Sequence, residues 1–573
     1  MSQSIVDAES VLVLDVGSVN TRAILFDVVD DQYRYIASSR AASTANAPFF
    51  DISEGVLQAI FRLQEVTARF FTQDAQLVLP TRPDGVGIDQ LVITYSAGPM
   101  LQTVVLGLLE DVSLESARRL ATSAQTLVVD AIGLNDQRKP EMQIDAILKA
   151  NPNLLIIAGG TERGATRSIA KMIELVGMAL QVLPRDSRPE VVFAGNQAMV
   201  KHISETLGKF TTVHTAPNIR PSIEIENLKP AREVTAQVIR NIRTRQLGGL
   251  QSFASICAEE PALTSSAFGR MVHFLAGLNS PNKTVLGVDI GASYTTLASA
   301  TPKSLHLSSL PMGMGGGMLN ALPQLSLPAV MRWLPIHIPP ADVRDYLWQK
   351  TLYPDSIPAS VETLAIEQAA AREILAAALR QHQTSYPANT GAYEPILASG
   401  AVISSLSPAN SLLTILDGIQ PWGVTTVILD PYGLASALGA VAAINALLPV
   451  QVLESSALLN LGTVISPVSS AKFGAPILKV KIEYEAGEPV SQEIRQGTIT
   501  MLPVQPGQAA RIHLQPLRSV VLDPTGKESF RSFKVIGGAC GTVIDARGRP
   551  LQLVNDDARR RDMLKKWVSS LGG

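Results

Sequence analysis

Residues 285–300 read VLGVDIGASYTTLASA. Val285 to Val288 are apolar enough for a buried strand, Asp289 ends it, and Gly291, Ala292 and Ser293 supply a tight turn. Thr295 and Thr296 open a second strand. A hairpin with a small-residue tip lets backbone N–H groups come close to an anion. An acid at the end of its first strand is placed to hold a hydrated Mg²⁺ beside that anion. Two hydroxyls after the turn add donors to phosphate oxygens.

The same design occurs near the N-terminus, where residues 11–27 read VLVLDVGSVNTRAILFD. Asp15, Gly17 and Ser18 repeat the spacing of Asp289, Gly291 and Ala292, and Thr21 repeats Thr295. One copy alone reads as an ordinary hairpin whose glycine serves the turn. Two copies, each in an apolar strand context, favour a pair of phosphate-binding hairpins.

This pair resembles the two phosphate hairpins of the actin, sugar-kinase and heat-shock-chaperone ATPase superfamily, in which two related lobes grip ATP between them. The resemblance implies that Asp15, Gly17, Ser18, Thr21, Asp289, Gly291, Ala292, Ser293 and Thr295 contact ATP phosphates or their metal. Asp15 and Asp289 are the implied holders of Mg²⁺.

The bulk of the chain fits such a protein. It has 573 residues, 46% hydrophobic and 17% charged, which is a core-rich, multidomain composition. A formal net charge of −2 argues against a general footprint for nucleic acid. Cys257 and Cys540, with seven histidines, make neither a disulfide scaffold nor a zinc ribbon, and point to a cytoplasmic compartment. The start, MSQSIVDAES, has no basic leader pattern. The uncharged run GLASALGAVAAINALLPVQVL at 433–453 raises the question of a membrane span. Its alanines, Ser436, Gly439 and Asn445 read better as a buried helix at 433–447, turned at Pro449.

An amphipathic helix is expected at 53–72 and a capped helix at 113–123, followed by alternating strands and helices to residue 215. That alternation implies a parallel sheet with ligand-accessible turns at Gly159–Thr161 and Ala194–Asn196, residue types that plain βα turns also favour. MGMGGGM at 312–318 reads as a flexible loop, able to close over a ligand or simply a solvent-exposed turn. After about 455 the periodicity turns to short strands, closed by a basic helix at 557–570. The fold expected is α/β: two actin-like ATPase lobes at 11–115 and 284–450, an inserted βα subdomain at 116–235, a helical connection at 236–283, and an all-β C-terminal domain at 451–573.

Further stretches extend the resemblance. LASGA at 397–401 stands where the superfamily has its adenosine loop, which implies nucleotide contacts from Ser399 and Gly400, with Ser399 replacing a glycine. GLASALGAVAA at 433–443 looks like the small-residue helix that packs the lobes together and acts as their hinge. DVGSVNTRAILFD at 15–27, TYSAGPMLQTVVLGLLEDVSLESARRLA at 94–121, NPNLLIIAGGTERG at 151–164, VVFAGN at 191–196, APNIRPSIEIENLKPARE at 216–233 and VDIGASYTTLAS at 288–299 look like the MutL (GlmL) family of glutamate mutase accessory proteins. That family implies an ATP-dependent, chaperone-like helper, with ATP and Mg²⁺ as cofactors. Its implied partner is an adenosylcobalamin-dependent carbon-skeleton mutase. ITYSAG at 93–98 lacks the acid or glutamine that the superfamily uses to position water, which implies slow hydrolysis or none. A small-molecule kinase of the same superfamily and an actin-like scaffold are the alternatives.

Overall fold

Val11–Val16 and Asn20–Val29 pair antiparallel, with Asp15 opposite Arg22. Val285–Ile290 and Thr295–Thr301 pair in the same way, with Asp289 opposite Thr296. The computed structural model describes residues 9–387, 391–485, 487–522 and 532–573, so the first eight residues of the chain lie outside it. The architecture is α/β throughout.

Each hairpin seeds a sheet of the same design. In the first, the order is Ala262–Leu263, Gln90–Tyr95, Val11–Val16, Asn20–Val29, Gln32–Ala42. Gln90–Tyr95 runs parallel to Val11–Val16, and Gln32–Ala42 runs antiparallel to the hairpin's second strand. In the other, Ser304–Leu310, Thr295–Thr301, Val285–Ile290, Ile396–Ser399 and Gly423–Leu429 repeat that order and those directions. Two crossing helices lie between the sheets. Thr264–Leu278 and Ala435–Val441 share one core with Val13 and Phe26 of the first sheet and Ala298 and Leu307 of the other. A Cβ on Gly439 would overlap the Ala267 carbonyl, so this approach admits only glycine.

A third sheet is wholly parallel, ordered Val213–Thr215, Glu190–Phe193, Leu154–Ile157, Leu101–Leu106, Thr126–Ile132. Its strands read as continuous apolar runs because both faces are covered. Leu155 and Ile157 join the core with Ile173 and Ile203, whereas Leu154 and Ile156 join the one with Leu120 and Val238. Leu101–Leu106, expected within the first lobe, is an interior strand here, between Leu154–Ile157 and Thr126–Ile132. The first sheet closes only at Ala262–Leu263, beyond this unit.

The region after 455 is β-rich, as expected, but three of its strands join the sheet of the second hairpin. Leu459–Ser466 pairs with Gly423–Leu429, and Thr542–Asp545 and Ile499–Leu502 follow it. The other four form an antiparallel sheet ordered Val490–Arg495, Pro476–Tyr484, Ala509–Pro516, Ser532–Ile536. Leu564 and Trp567 of the terminal helix Asp557–Ser569, with Leu571 just past it, enter the core that holds Ile374 and Leu416. Strand pairing and this apolar stripe make the region continuous with the second-hairpin sheet.

Local departures have local causes. The helix expected at 433–447 is two helices, Ala435–Val441 and Leu447–Glu454. Asn445 Oδ1 accepts from the backbone N–H groups of Leu447 and Leu448 and starts the second, so Pro449 sits in its first turn. Ser113 does not cap the helix Glu115–Ser123; its Oγ accepts from the N–H groups of Leu108 and Leu109 in the preceding turn. Among the described residues no helix is long and apolar enough to cross a membrane.

Candidate functional site

The two hairpin tips are built alike and meet. The N–H of Gly17 donates to the Asn20 carbonyl at 3.0 Å, and that of Gly291 to the Tyr294 carbonyl at 2.9 Å. Ser293 Oγ donates to Ser18 Oγ at 2.7 Å, and Asn46 Nδ2 donates to the Ser18 carbonyl.

Three carboxylates and one guanidinium surround this junction. Arg22, directly across from Asp15, donates to Asp15 Oδ2 through Nη2 at 2.6 Å and Nε at 3.2 Å. Thr94 Oγ1 donates to Asp15 Oδ1 at 2.7 Å, and Thr264 Oγ1 at 3.3 Å. Asp430, fully buried just past the strand Gly423–Leu429, accepts from the N–H groups of Leu434 and Ala435 and from Ser399 Oγ. Arg22 Nη1 also reaches the Tyr432 carbonyl at 3.2 Å. Asp289 is different: among the described residues no side-chain hydrogen bond reaches its carboxylate. Burial pushes the Asp289 carboxyl up to about 7, with Asp15 and Asp430 pushing the same way and Arg22 opposing them. Burial likewise raises Asp430.

The residues singled out from the sequence fall into two groups. Asp15, Gly17, Ser18, Asp289, Gly291, Ala292 and Ser293 lie at or beside the meeting tips. Ser399 is opposite Asp289 in the strand register and bonds Asp430. Gly400, at φ +109°, follows it so closely under Ile290 that a Cβ would overlap that backbone. Thr21 and Thr295 are not turned to the acids. Side chains alternate along a strand, and Thr21 neighbours Arg22, which faces Asp15. Thr21 is fully buried opposite Val16, and Thr295 Oγ1 donates to the Met312 carbonyl.

Sequence reasoning missed Arg22 and Asp430. Arg22 was visible as the residue seven after Asp15, the cross-strand partner in a hairpin of this length. Asp430 carried no motif beyond ending an apolar strand. The glycine loop also behaves differently from either reading of it. Met312 to Gly315 are buried, and the N–H groups of Met314, Gly315 and Gly317 donate to the carbonyls of Gly291, Ala292 and Ala292. The loop is strapped beneath the second tip, and its glycines are there because a Cβ at 313 would come within 2.6 Å of the Ala292 carbonyl.

Among the described residues no three acid, histidine or cysteine side chains converge as a metal cage. Among the described residues Asp289 accepts no side-chain hydrogen bond. Asp15 is held by Arg22 and two threonines.

No curated protein matches the chain by sequence. Among solved structures, a nucleotide-free acetone carboxylase is 12% identical over 85% of this chain and 81% of its own, with a TM-score of 0.34. Component A of the Acidaminococcus fermentans (R)-2-hydroxyglutaryl-CoA dehydratase is 9% identical over 75% and 96%, at 0.25. A nucleotide-free diol dehydratase-reactivating factor is 10% identical over 76% and 99%, at 0.32. The family model described as "MutL protein" matches residues 11–457, which take in both hairpins, the parallel sheet between them and the crossing helices. The chain belongs to the MutL protein family.

Proposed function

We propose that the chain is an ATP-binding, chaperone-like helper of an adenosylcobalamin-dependent carbon-skeleton mutase. Mg²⁺–ATP would lie between the lobe built on Val11–Val16 and the lobe built on Val285–Ile290. The observation that carries this is the meeting of two like hairpins, Ser18 to Ser293, with Asp15, Asp289 and Asp430 gathered around Arg22. Membership of the MutL family supplies the partner class.

Each residue has a task in this account. The Gly17–Ser18 and Gly291–Ser293 backbones present N–H groups to phosphate. Asp289 holds the metal's water shell, and Arg22, anchored by Asp15, offers a fixed guanidinium to phosphate oxygens. Bound Mg²⁺ neutralises phosphate charge, the main requirement of phosphoryl transfer. Ser399 and Gly400 sit beside Asp289 at the position proposed for the adenosine. No acid or glutamine at the end of Gln90–Tyr95 is placed to orient water; Thr94 there is committed to Asp15. Slow turnover suits a switch whose output is lobe movement about the packed helices Thr264–Leu278 and Ala435–Val441.

The test is reactivation. A mutase inactivated by damaged cobalamin should regain activity when given this protein, fresh adenosylcobalamin and Mg²⁺–ATP. Absence of recovery from a preparation that binds Mg²⁺–ATP would contradict the helper role. Turnover that needs an added sugar or carboxylic acid would instead favour a kinase.

A further inference from the structure

Among the described residues, exposed large apolar side chains crowd most closely along the chain in one short stretch. Trp348, Leu352, Tyr353, Ile357, Val361 and Leu364 are all exposed within residues 348–364, Leu352 at 74% and Ile357 at 73%. They lie on the helix Pro340–Leu352, the connection after it, and the start of Val361–Ser385. A groove of about 500 Å³ between these helices adjoins them, lined by Tyr346 and Ile366 and by the acids Asp342, Asp345 and Glu362. Apolar surface left in water at this density marks an interaction site.

The rim states what kind of partner fits. Within residues 340–364, Asp342, Asp345, Asp355 and Glu362 are exposed and Arg344 is the one exposed lysine or arginine; His337 also lines the groove. Lys350 is buried and paired with Glu367 at 2.8 Å. A symmetric pairing with a second copy would set these acids against themselves. A segment with apolar anchors flanked by lysine or arginine satisfies both the patch and its rim.

The patch is also continuous with the candidate nucleotide site. A Cβ on Gly315 would sit 3.0 Å from both Ala292 Cβ and Pro354 Cβ. The glycine loop is thus wedged between the second hairpin tip and the connection that carries Tyr353 and Ile357.

We infer that this acid-rimmed apolar patch is where the chain docks its partner enzyme, through an apolar segment of that enzyme flanked by basic residues, and that the Gly315 wedge links docking to the nucleotide hairpin. This rests on the helper reading above.

The experiment uses the full chain, a purified adenosylcobalamin-dependent mutase from the same cell, and a photocrosslinking residue placed at Trp348 or Ile357. Crosslinks should map to an apolar mutase segment bordered by lysine or arginine. Leu352→Asp, and separately Asp345→Lys with Glu362→Lys, should each weaken mutase binding at least tenfold. Mg²⁺–ATP affinity and Tm should stay at the wild-type values in these variants, and Mg²⁺–ATP should change the wild-type affinity for the mutase. Equal mutase binding by all variants, or crosslinks only to a second copy of this chain, would overturn the docking assignment. Mutase affinity indifferent to Mg²⁺–ATP would overturn the link. A wild type that binds Mg²⁺–ATP but no mutase would reject the helper reading itself, and the patch assignment with it.

Discussion

Ser293 Oγ donates to Ser18 Oγ at 2.7 Å, joining the tips of two hairpins 275 residues apart in the chain. One hydrogen bond of this kind contributes only about 1 kcal/mol. Its importance is positional, since it brings two small-residue turns and their acids to one point.

Arg22→Met should cost about 1–3 kcal/mol in stability, because the buried Asp15 carboxylate loses its two guanidinium bonds while keeping those from Thr94 and Thr264. Mg²⁺–ATP affinity should fall at least tenfold. Urea unfolding and nucleotide titration of the same variant check both; a variant with unchanged affinity would remove Arg22 from the site.

Gly317→Ala tests the strap. The new methyl would overlap the Ser293 carbonyl, so hairpin tip and loop must separate, at about 1–3 kcal/mol. Nucleotide affinity should drop with stability. Exposed Gly316, whose Cβ would meet nothing nearer than Ser293 Oγ at 3.7 Å, should accept alanine without either loss.

Arg547→Met tests whether the C-terminal region is part of the same cooperative unit. Arg547 bonds Asp417 at 2.7 Å and Asp545 at 2.8 Å, packs on Trp567 at 4.6 Å, and shares Asp417 with Arg372. All four charged groups are buried. Removing Arg547 leaves Asp417 to Arg372 alone and Asp545 to Arg549 alone, so lost charge-assisted hydrogen bonds should cost about 1–3 kcal/mol. A single unfolding transition moved to lower denaturant is expected; loss of a separate minor transition, with the main one unmoved, would show an independent domain.

Much of the fold was legible because its signals are local. Paired D-x-G motifs in apolar runs declared both hairpins, and the alternation of strands and helices up to residue 215 declared a parallel sheet. What was not legible depends on distant pairing. Nothing near Leu101 says that it joins the parallel sheet, and nothing near Leu459 says that it extends the strand Gly423–Leu429. The site divides in the same way. Asp15, Asp289 and the turn residues stand out by spacing, whereas the register that turns Thr21 and Thr295 away from the acids depends on strand pairing that spacing does not show. Asp430 comes from a segment with no motif at all.

His382 supplies a pH prediction away from the site. It is fully buried, bonds Ser299 and Ser308 at 2.8 Å, and lies beside Tyr386. Burial, with His306 adding to it, pushes its pKa down to about 3. The folded state therefore holds it neutral, and its contribution is complete above the unfolded value near 6.5 and lost as pH falls toward 3. By pH 5 the loss should be about 2 kcal/mol. His382→Gln should flatten that part of the stability profile, measured by denaturant midpoints from pH 7 to 5. A profile of unchanged slope would assign the acid sensitivity elsewhere.

The most direct test of the central claim is calorimetric titration of Mg²⁺–ATP into the wild type and into Asp289→Ala. The two-hairpin site predicts saturable wild-type binding that requires Mg²⁺, and its loss in the variant with the wild-type Tm retained. Equal binding by both proteins would contradict the assignment of the metal to Asp289, and no binding by the wild type would contradict the nucleotide site altogether.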